Sequence, residues 1–304
     1  MSILVVGSIA LDSVETPFGQ AEDALGGAAV YFSFAASFFN RVRLVGVIGE
    51  DFPDEHIELL KGRNIDLAGL ERGHGSTFRW KGRYDYDLNE AHTLDTQLNV
   101  FESFAPNIPD AFRDSDFVFL ANIQPELQLQ VAKQVTSPRV IACDTMNFWI
   151  EGAYDQLRET LKSVDILIIN DAETRELARE PSLVKAARKI LEWGPTTLVV
   201  KRGEFGVLMF RGKSVFSAPA YPLEDVFDPT GAGDTFAGGF MGYLSTQEDI
   251  NETAIRQARI FGSTLASFNV EAFSLSRMKE LEMQEILDRF AEFKLISHFE
   301  EITS

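Results

Sequence analysis

Short apolar runs rich in valine and isoleucine alternate with longer segments of helical period along most of the chain. Runs such as Ile3–Val6, Ile166–Asn170 and Leu198–Lys201 are nearly continuous in apolar residues, which is typical of strands covered on both faces. Segments between them, such as Leu183–Trp193, repeat apolar residues every three or four positions. The alternation predicts an α/β fold in which a central, mostly parallel sheet is flanked by helices.

One stretch departs from this pattern. From Thr77 to Phe101, aromatic and β-branched residues alternate with polar ones, a period of two that is typical of exposed antiparallel strands. We expect a small sheet there, either a lid over a site or a dimerisation surface. The sequence predicts a single domain over residues 1–304, with a β lid formed mainly by 77–101 and also by 12–25. A last amphipathic helix is predicted over Arg277–Phe293, followed by a frayed acidic tail.

The net negative charge of the chain limits the classes of molecule that it is expected to bind. Lys and Arg total 28 against 46 Asp and Glu, a net charge of −18, with no compensating basic block, which argues against nucleic acid and anionic membranes. No apolar run approaches the ~20 residues of a membrane-spanning helix. The single cysteine, Cys143, cannot pair within the chain, so a reducing, cytoplasmic location is expected.

The segment Asp225–Leu244, DVFDPTGAGDTFAGGFMGYL, has the composition of an anion-binding turn. The residues Gly231, Ala232 and Gly233 are small enough for backbone N–H groups to converge on one point. An apolar helix is predicted from Thr235, and a helix N-terminus carries partial positive charge. Together these features predict a cradle for an anion.

Asp234 stands at the mouth of this cradle, where a phosphate would repel its carboxylate. One explanation is a helix N-cap. The other is a general base that takes the proton of a substrate hydroxyl during phosphoryl transfer. The helix N-terminus is expected to keep Asp234 ionised and weakly basic. No G-x-x-x-x-G-K-[ST] motif occurs, which argues against a P-loop kinase, and the missing early dinucleotide fingerprint argues against an oxidoreductase.

The string DPTGAGDTFAGGF closely resembles the C-terminal signature of the ribokinase-like carbohydrate kinases, also called the phosphofructokinase B family. The resemblance implies an α/β fold with a small β lid, and ATP- and magnesium-dependent transfer of the γ-phosphoryl group to a hydroxyl of a sugar or nucleoside. It gives Asp234 the role of catalytic base. The anion hole would consist of Gly231, Ala232 and Gly233. Asp228 and Thr230 would lie near the monovalent-cation site that some members have.

Two N-terminal segments carry the same resemblance. GSIALDSV is similar to the family's first strand and turn, with Asp12 at the position that commonly binds substrate hydroxyls. A carboxylate accepts two such hydrogen bonds, although an ordinary turn aspartate is the alternative. LGGAAVYFSFAASFFNRVRLVGVIGEDF resembles the N-terminal signature. In it, Gly26 and Gly27 would let the substrate approach the backbone.

Two further segments are assigned to the nucleotide. Asn170 and Glu173 match the Asn-x-x-Glu element that organises magnesium and phosphate, and Glu173, with Asp228, is the predicted metal ligand. A capped helix start is the alternative. Lys201 precedes Gly203 and Gly206, where many members have Thr-x-Gly-x-x-Gly. The lysine could contact nucleotide phosphates or be a solvated surface residue.

Other polar residues follow predicted strands without a clear family role. Asp144 and Asn147 come after one strand and Asn122 after another, and ligands collect at the carboxyl ends of parallel strands. The family's Asn-Pro element is missing here, so these roles stay open. The aromatic residues Tyr31, Phe32 and Phe34 are either core or a wall for a nucleobase.

These observations predict an ATP-dependent kinase for a sugar or sugar-like alcohol, with a nucleoside kinase as the close alternative. ATP and Mg²⁺ are the expected cofactors, with a monovalent cation as a further one. The expected partners are a small-molecule substrate and ATP, and a homodimer through the lid is also considered. A regulator that binds a nucleotide or metabolite without catalysis is the alternative from another class.

Overall fold

The computed structural model of the chain describes residues 1–298 and 300. The predicted acidic tail lies largely outside these residues. The described strands are β1 (Ser2–Val6), β2 (Ala10–Thr16), β3 (Gly19–Gly26), β4 (Arg41–Ile48), β5 (Ile65–Arg72), β6 (Phe78–Tyr84), β7 (Ala91–Gln97), β8 (Phe117–Leu120), β9 (Val140–Cys143), β10 (Ile166–Asn170), β11 (Thr197–Lys201), β12 (Val207–Arg211) and β13 (Ser214–Ala218). The described helices are α1 (Ala28–Ala36), α2 (Asp54–Lys61), α3 (Pro125–Gln134), α4 (Asn147–Gly152), α5 (Tyr154–Leu161), α6 (Asp171–Ala178), α7 (Leu183–Leu191), α8 (Ala232–Leu244), α9 (Glu252–Asn269), α10 (Ser276–Glu280) and α11 (Met283–Ser297).

The main sheet has the order β13-β12-β11-β10-β9-β8-β1-β4-β5 within the described part of the chain. Neighbouring strands from β11 to β5 are parallel, and β12 and β13 add an antiparallel hairpin at one edge. The predicted α/β architecture is confirmed. The strands β5 and β13 and the short helix α4 are present although the sequence analysis did not predict them.

Both faces of the main sheet are covered, which explains why its central strands are apolar throughout. In β1, Ile3 and Val5 pack into one buried cluster with residues of α1, α8 and α9. The alternate residues Leu4 and Val6 pack into the opposite cluster with α3, α5, α6 and α7. The fold is therefore a three-layer arrangement with one apolar core on each side of the sheet.

The predicted small sheet is also present, in the order β3-β2-β6-β7. The central pair β2 and β6 is parallel, and the two outer pairs are antiparallel. It is held against the body by side chains at its edges. The Thr16 hydroxyl donates to the Phe227 carbonyl at 3.0 Å, and the Ser274 hydroxyl donates to the Leu25 carbonyl at 2.6 Å.

The sequence predicts one continuous last helix, and this prediction is wrong. Leu281 is extended and buried, which separates α10 from α11. The side chains of Glu282 and Glu285 then form a capping box that begins α11. A helix break follows because the leucine inserts into the core and the two acids supply new caps. Among the described residues, no helix combines the length and apolar character needed to cross a membrane.

Candidate active site

Three predicted site residues lie together because they follow parallel strands. Asn170 ends β10 and Lys201 ends β11, and the two residues are direct partners in the sheet register. Asp144 comes immediately after β9, the next strand along the sheet. Since the carboxyl ends of parallel strands meet at one edge, this edge carries a carboxamide, an ammonium and a carboxyl group.

Helix α8 brings Asp234 to the same place. The helix begins at Ala232, earlier than the predicted Thr235, and Gly231 is its N-cap in the left-handed region with φ 73°. Asp234 is therefore the third residue of the helix, and the N-cap hypothesis for it is wrong. A side chain at Gly231 would overlap the ring of Tyr31, so both the backbone angle and the space require glycine.

The first turn of α8 leaves backbone donors free, as helix starts do. The Ala232 N–H donates to the Pro229 carbonyl at 3.2 Å. The N–H groups of Gly231 and Gly233 have no backbone acceptor among residues 1–298. The predicted cradle of three amides thus has two available donors here, because the turn itself uses the third.

Lys201 lies in the site and not on the solvated surface. Its Nζ is 2.6 Å from the position that a Cβ on Gly233 would take, so the ammonium faces the start of α8. Its charge lowers the pKa of Asp234, Asp144 and Glu173. Of the two alternatives left open for Lys201, the surface position is wrong.

Burial raises the pKa of the Asp234 carboxyl, and the Lys201 charge only partly opposes this effect. The expectation that the helix N-terminus keeps Asp234 a weak base therefore needs correction, because desolvation outweighs the helix start. Burial and the Asp234 charge together raise the pKa of Asp144 well above its ordinary value. The buried Oδ1 of Asp144 has no hydrogen-bond partner within the described residues.

Asn170 and Glu173 form a complete capping box at the start of α6. The Glu173 N–H donates to Asn170 Oδ1 at 2.7 Å, and the Asn170 N–H donates to Glu173 Oε2 at 2.8 Å. The capped helix start is thus present, whatever else these residues do. Burial raises the pKa of Glu173, whereas Lys201 and the Asn170 amide lower it. Glu173 Oε1 accepts no hydrogen bond from the described residues.

Asp12, on β2 of the small sheet, lies near enough to Asp234 for the two charges to interact. It is 6% exposed, and its Oδ2 accepts from the Gly27 N–H at 3.3 Å. Burial raises the pKa of Asp12 to about 7, the Gly27 amide lowers it, and the charges of Asp228 and Asp234 raise it further. Asp12 therefore shares its surroundings with the carboxyl at the start of α8.

The glycines beside Asp12 stand where any side chain would overlap neighbouring protein atoms. A Cβ on Gly26 would overlap the Asp12 carboxylate, and a Cβ on Gly27 would lie 2.5 Å from the Ser8 carbonyl oxygen. The space beside this backbone is filled by the protein itself. Gly26 thus leaves room for the Asp12 carboxylate and Gly27 for the Ser8 backbone, and a role of the pair in substrate approach stays a prediction.

Asp228, a predicted metal ligand, is buried in the loop before α8. It is 1% exposed, its Oδ1 accepts from the Thr230 N–H at 2.9 Å, and its Oδ2 accepts from the Ser274 N–H at 3.2 Å. Burial raises its pKa and these hydrogen bonds oppose the rise. Because each oxygen already has an amide donor, Asp228 holds the loop before α8. No cluster of three or more metal-ligating side chains occurs in the part of the chain described.

The remaining candidates lie at the margin. The carboxamide of Asn122 accepts from Trp149 Nε1 at 3.0 Å and donates to Met146 Sδ at 3.0 Å, so it supports the loop after β9. Asn147 is exposed at the start of α4. Gly203 and Gly206 frame the loop after β11, and Asn89 Oδ1 from the β6–β7 turn lies 2.8 Å from the position of a Cβ on Gly203. The small sheet thus reaches the predicted nucleotide loop.

The aromatic residues of α1 divide into two kinds. Phe32 and Phe34 are fully buried, and Phe32 stacks on Phe119 with 4.3 Å between ring centroids. Tyr31 is 2% exposed, and the charges of Asp12, Asp228 and Asp234 add to burial in raising its pKa. The Tyr31 side chain therefore lies near the site carboxylates and against Gly231, a position that the sequence analysis missed. The available signal was its position four residues after Gly27.

Comparison with known proteins shows the family of the chain. Residues 3–280 match the model of the pfkB family of carbohydrate kinases. A cytidine kinase from Thermococcus kodakarensis is 30% identical over 257 residues, covering 83% of this chain and 91% of that protein. A ribokinase from Lactococcus lactis is 27% identical over 271 residues, covering 83% of this chain and 86% of that protein.

Solved structures share the fold. The crystal structure of a nucleoside kinase from Methanocaldococcus jannaschii superposes with a TM-score of 0.77 at 20% identity, covering 96% of this chain and 98% of that one. The family match spans β1 to α10 and includes the start of α8, the capping box of α6 and Asp12. On this evidence, the chain belongs to the pfkB family of carbohydrate kinases.

Proposed function

We propose that this chain is an ATP-dependent kinase that phosphorylates a hydroxyl of a nucleoside, with residues 1–304 forming one catalytic domain and the small sheet acting as its lid. The observation that carries the proposal is the start of α8. There, Asp234 lies beside two free amides and the Lys201 ammonium, and the Asp12 carboxyl lies close enough for its pKa to respond to Asp234.

In the proposed reaction, the acceptor hydroxyl oxygen attacks the γ-phosphorus of ATP in line with the leaving oxygen. The new bond joins that oxygen to the γ-phosphorus, the bond to the β–γ bridging oxygen breaks, and ADP leaves. The hydroxyl proton passes to the Asp234 carboxylate. Because burial raises the pKa of Asp234, the carboxylate is a better proton acceptor than an exposed aspartate.

The anionic transferring group needs donors in a protein of net charge −18. The Gly231 and Gly233 amides, the positive end of α8 and Lys201 supply them locally. Fixed donors of this kind stabilise charge that develops in the transition state without reorganising. Lys201, one of the predicted phosphate contacts, is the only full positive charge in this set of donors.

The donor set also fits a magnesium ion bound mainly by nucleotide phosphates. Mg²⁺ commonly keeps several waters and takes only one or two protein carboxylates. Glu173 has one carboxylate oxygen that the described residues leave free, so Glu173 would hold the ion, directly or through water. The bound ion would neutralise phosphate charge. Asp228 and Thr230 remain the proposed neighbours of a monovalent cation.

Two observations favour a nucleoside as the acceptor. The relative at 30% identity is a cytidine kinase. An exposed aromatic cluster of Phe18, Tyr86 and Phe227 also lies beside Asp228, with ring centroids 6.2 and 6.3 Å from that of Phe18, and planar bases stack on such rings. A free sugar is the second candidate, because a ribokinase is also among the relatives.

The location and assembly are part of the same proposal. The single cysteine is buried and unpaired, in keeping with a cytoplasmic protein. All seven residues of β7 are exposed at the edge of the small sheet, which favours a homodimer through this sheet. The Thr16 and Tyr84 side chains tie the sheet to the loop before α8, which favours its closure over the site.

An ADP-release assay with ATP and Mg²⁺ tests the function. Cytidine, uridine, adenosine, inosine, ribose and fructose serve as acceptors, and mass spectrometry identifies the phosphorylated product. The proposal expects turnover with a nucleoside well above the acceptor-free rate. Turnover with a sugar alone would favour the second candidate. Nucleotide binding without turnover on any acceptor would favour the regulator.

A further inference from the structure

Asp144 is a buried carboxyl of the site that has no role in the reaction proposed above. It follows β9 directly and is 6% exposed. Its backbone is fixed on both sides, because the Asp144 N–H donates to the Leu120 carbonyl at 3.3 Å and the Asp144 carbonyl accepts from Gln128 Nε2 at 3.0 Å. The side chain therefore starts from a rigid strand end, which can hold a neighbouring group in one orientation.

The neighbour of Asp144 is the proposed catalytic base. The Asp144 and Asp234 carboxyl groups are in hydrogen-bond contact. Two ionised carboxylates cannot make such a bond, because each is an acceptor only. Like charges this close also repel, so that one member of the pair keeps its proton while the other ionises. The contact therefore requires one proton between the two groups.

The surroundings of the pair decide which member holds this proton. Burial, followed by the Asp234 charge, raises the pKa of Asp144 well above its ordinary value; the Lys201 charge opposes the rise and the Glu173 charge adds to it. Burial also raises the pKa of Asp234, but both Lys201 and the bond from Asp144 lower it. In addition, Asp144 Oδ1 has no hydrogen-bond partner among the described residues, so a charge on Asp144 would be poorly stabilised. Asp144 is the protonated member and Asp234 the ionised one.

Exposure separates the roles of the two carboxyl groups. Asp234 is only half-buried, so a substrate can reach it, whereas Asp144 is almost sealed from solvent. A carboxylate has two acceptor oxygens. A bond from Asp144 to one oxygen of Asp234 leaves the other oxygen for the hydroxyl of the acceptor substrate. Asp144 can thus influence the reaction through Asp234 without touching the substrate.

We propose that Asp144 is a positioning residue whose protonated carboxyl donates a hydrogen bond to Asp234 and holds that carboxylate in the orientation that accepts the substrate proton. This inference rests on the proposed function. In the reaction the hydroxyl proton passes to Asp234, while Asp144 keeps its own proton throughout. Asp144 therefore acts as a neutral donor, and a carboxamide can replace it.

The test compares Asp144→Asn with Asp144→Leu, two side chains of similar size of which only the first can donate a hydrogen bond. The turnover number, the KM for ATP and the pH dependence of kcat are measured with the acceptor that the ADP-release screen identifies. Asp249→Asn makes the same change from carboxyl to carboxamide at an exposed position and serves as control.

We expect Asp144→Leu to lower kcat about 10- to 100-fold, the range for losing a hydrogen bond to a charged group, with little change in KM for ATP. The acid limb of its kcat profile, where activity is lost as the pH falls, should move to higher pH, because Asp234 loses a bond that lowers its pKa. Asp144→Asn should stay close to the wild type in both respects, since its amide donates from the same place.

Two results would overturn the inference while leaving the proposed function intact. One is a normal kcat in Asp144→Leu. The other is an equal loss of kcat in both variants with the acid limb moved to lower pH, as expected if an ionised Asp144 were removed. Should the wild type turn over no acceptor, the proposed function fails. The infrared difference spectrum of the wild type minus Asp144→Asn at neutral pH then tests the pair by itself. The carbonyl band of a protonated carboxyl is expected, and its absence would refute the pair.

Discussion

The two halves of the site are built in different ways. The donor half, around Lys201, Asn170 and Asp144, consists of residues that follow neighbouring parallel strands of one sheet. The acceptor half joins Asp12 of the small sheet to Gly27, at the start of α1, by a hydrogen bond between separate segments. A sheet edge collects its residues by topology alone, whereas the acceptor half requires two sheets to meet. We therefore expect donor-half changes to affect chemistry most, and acceptor-half changes to affect acceptor binding.

The largest effect should come from the residue where the halves meet. Asp234→Asn removes the proposed proton acceptor and keeps the side-chain volume. We expect kcat to fall by a factor on the order of 10²–10⁴, the range for a general base, with ATP affinity retained. Turnover and calorimetric ATP binding measure the two quantities. The exposed Asp249→Asn serves as control, and full turnover by Asp234→Asn would refute the assigned role.

Removing the positive charge of Lys201, in the donor half, should have the next largest effect on activity. Lys201→Met keeps the length of the side chain and removes the ammonium that faces Gly233. We expect kcat/KM for ATP to fall about 10²-fold, because a charge-assisted contact to phosphate is lost. KM for the acceptor should change little. Lys213→Met, at an exposed turn, is the matched control, and a normal value for Lys201→Met would place ATP elsewhere.

Ionisation of the buried Asp12 carboxyl, in the acceptor half, should lower the free energy of unfolding. The pKa of Asp12 is raised to about 7, so the folded state holds a proton that the unfolded state releases near pH 4. Its stabilising contribution is complete below about pH 4 and is lost as the pH rises to about 7. Asp12→Asn cannot ionise, so its stability advantage over the wild type should grow across this window, to on the order of 4 kcal/mol.

Thermal unfolding of Asp12→Asn and the wild type at pH 4.5 and pH 8 measures this difference, with Asp249→Asn as control. The advantage should be larger at pH 8. An advantage that is equal at both pH values would contradict the buried, raised carboxyl. Acceptor KM should rise in the same variant, since the substrate loses a charged hydrogen-bond acceptor.

The smallest effect should come from a contact that holds the small sheet in place. Thr16→Val removes the hydrogen bond to the Phe227 carbonyl. Such a bond contributes about 1 kcal/mol, so we expect acceptor KM to rise two- to fivefold with kcat nearly unchanged. Thr196→Val loses a similar bond, to Asp165, far from the site. Equal KM values for the acceptor in both variants would show that the small sheet has no role in acceptor binding.

The same contrast explains what the sequence could predict. Continuous apolar strands and the DPTGAGD turn are local patterns, so the main sheet, the approximate position of α8 and its Asp234 followed from them. The left-handed Gly231, which starts α8 three residues early, depends on the Tyr31 ring across the core. The position of Lys201 likewise depends on Gly233, a contact between segments that no local pattern reveals.

Burial accounts for most of the remaining differences. The helix start alone predicts an ordinary Asp234, but desolvation in the assembled site raises its pKa. The sequence alone does not show that a Cβ on Gly26 would overlap the Asp12 carboxylate. The break at Leu281 arises because the leucine is more stable in the core than in a continuous helix. Each of these depends on packing between distant segments.

The pH dependence of kcat tests the central claim, that Asp234 accepts the proton under the influence of Lys201. The carboxylate is the active form, so activity should fall as the pH drops through its raised pKa. The wild type should therefore show an acid limb above the range of an exposed aspartate. Because Lys201 lowers the pKa of Asp234, Lys201→Met should move this limb to still higher pH. An acid limb at the same pH in both proteins would contradict the account.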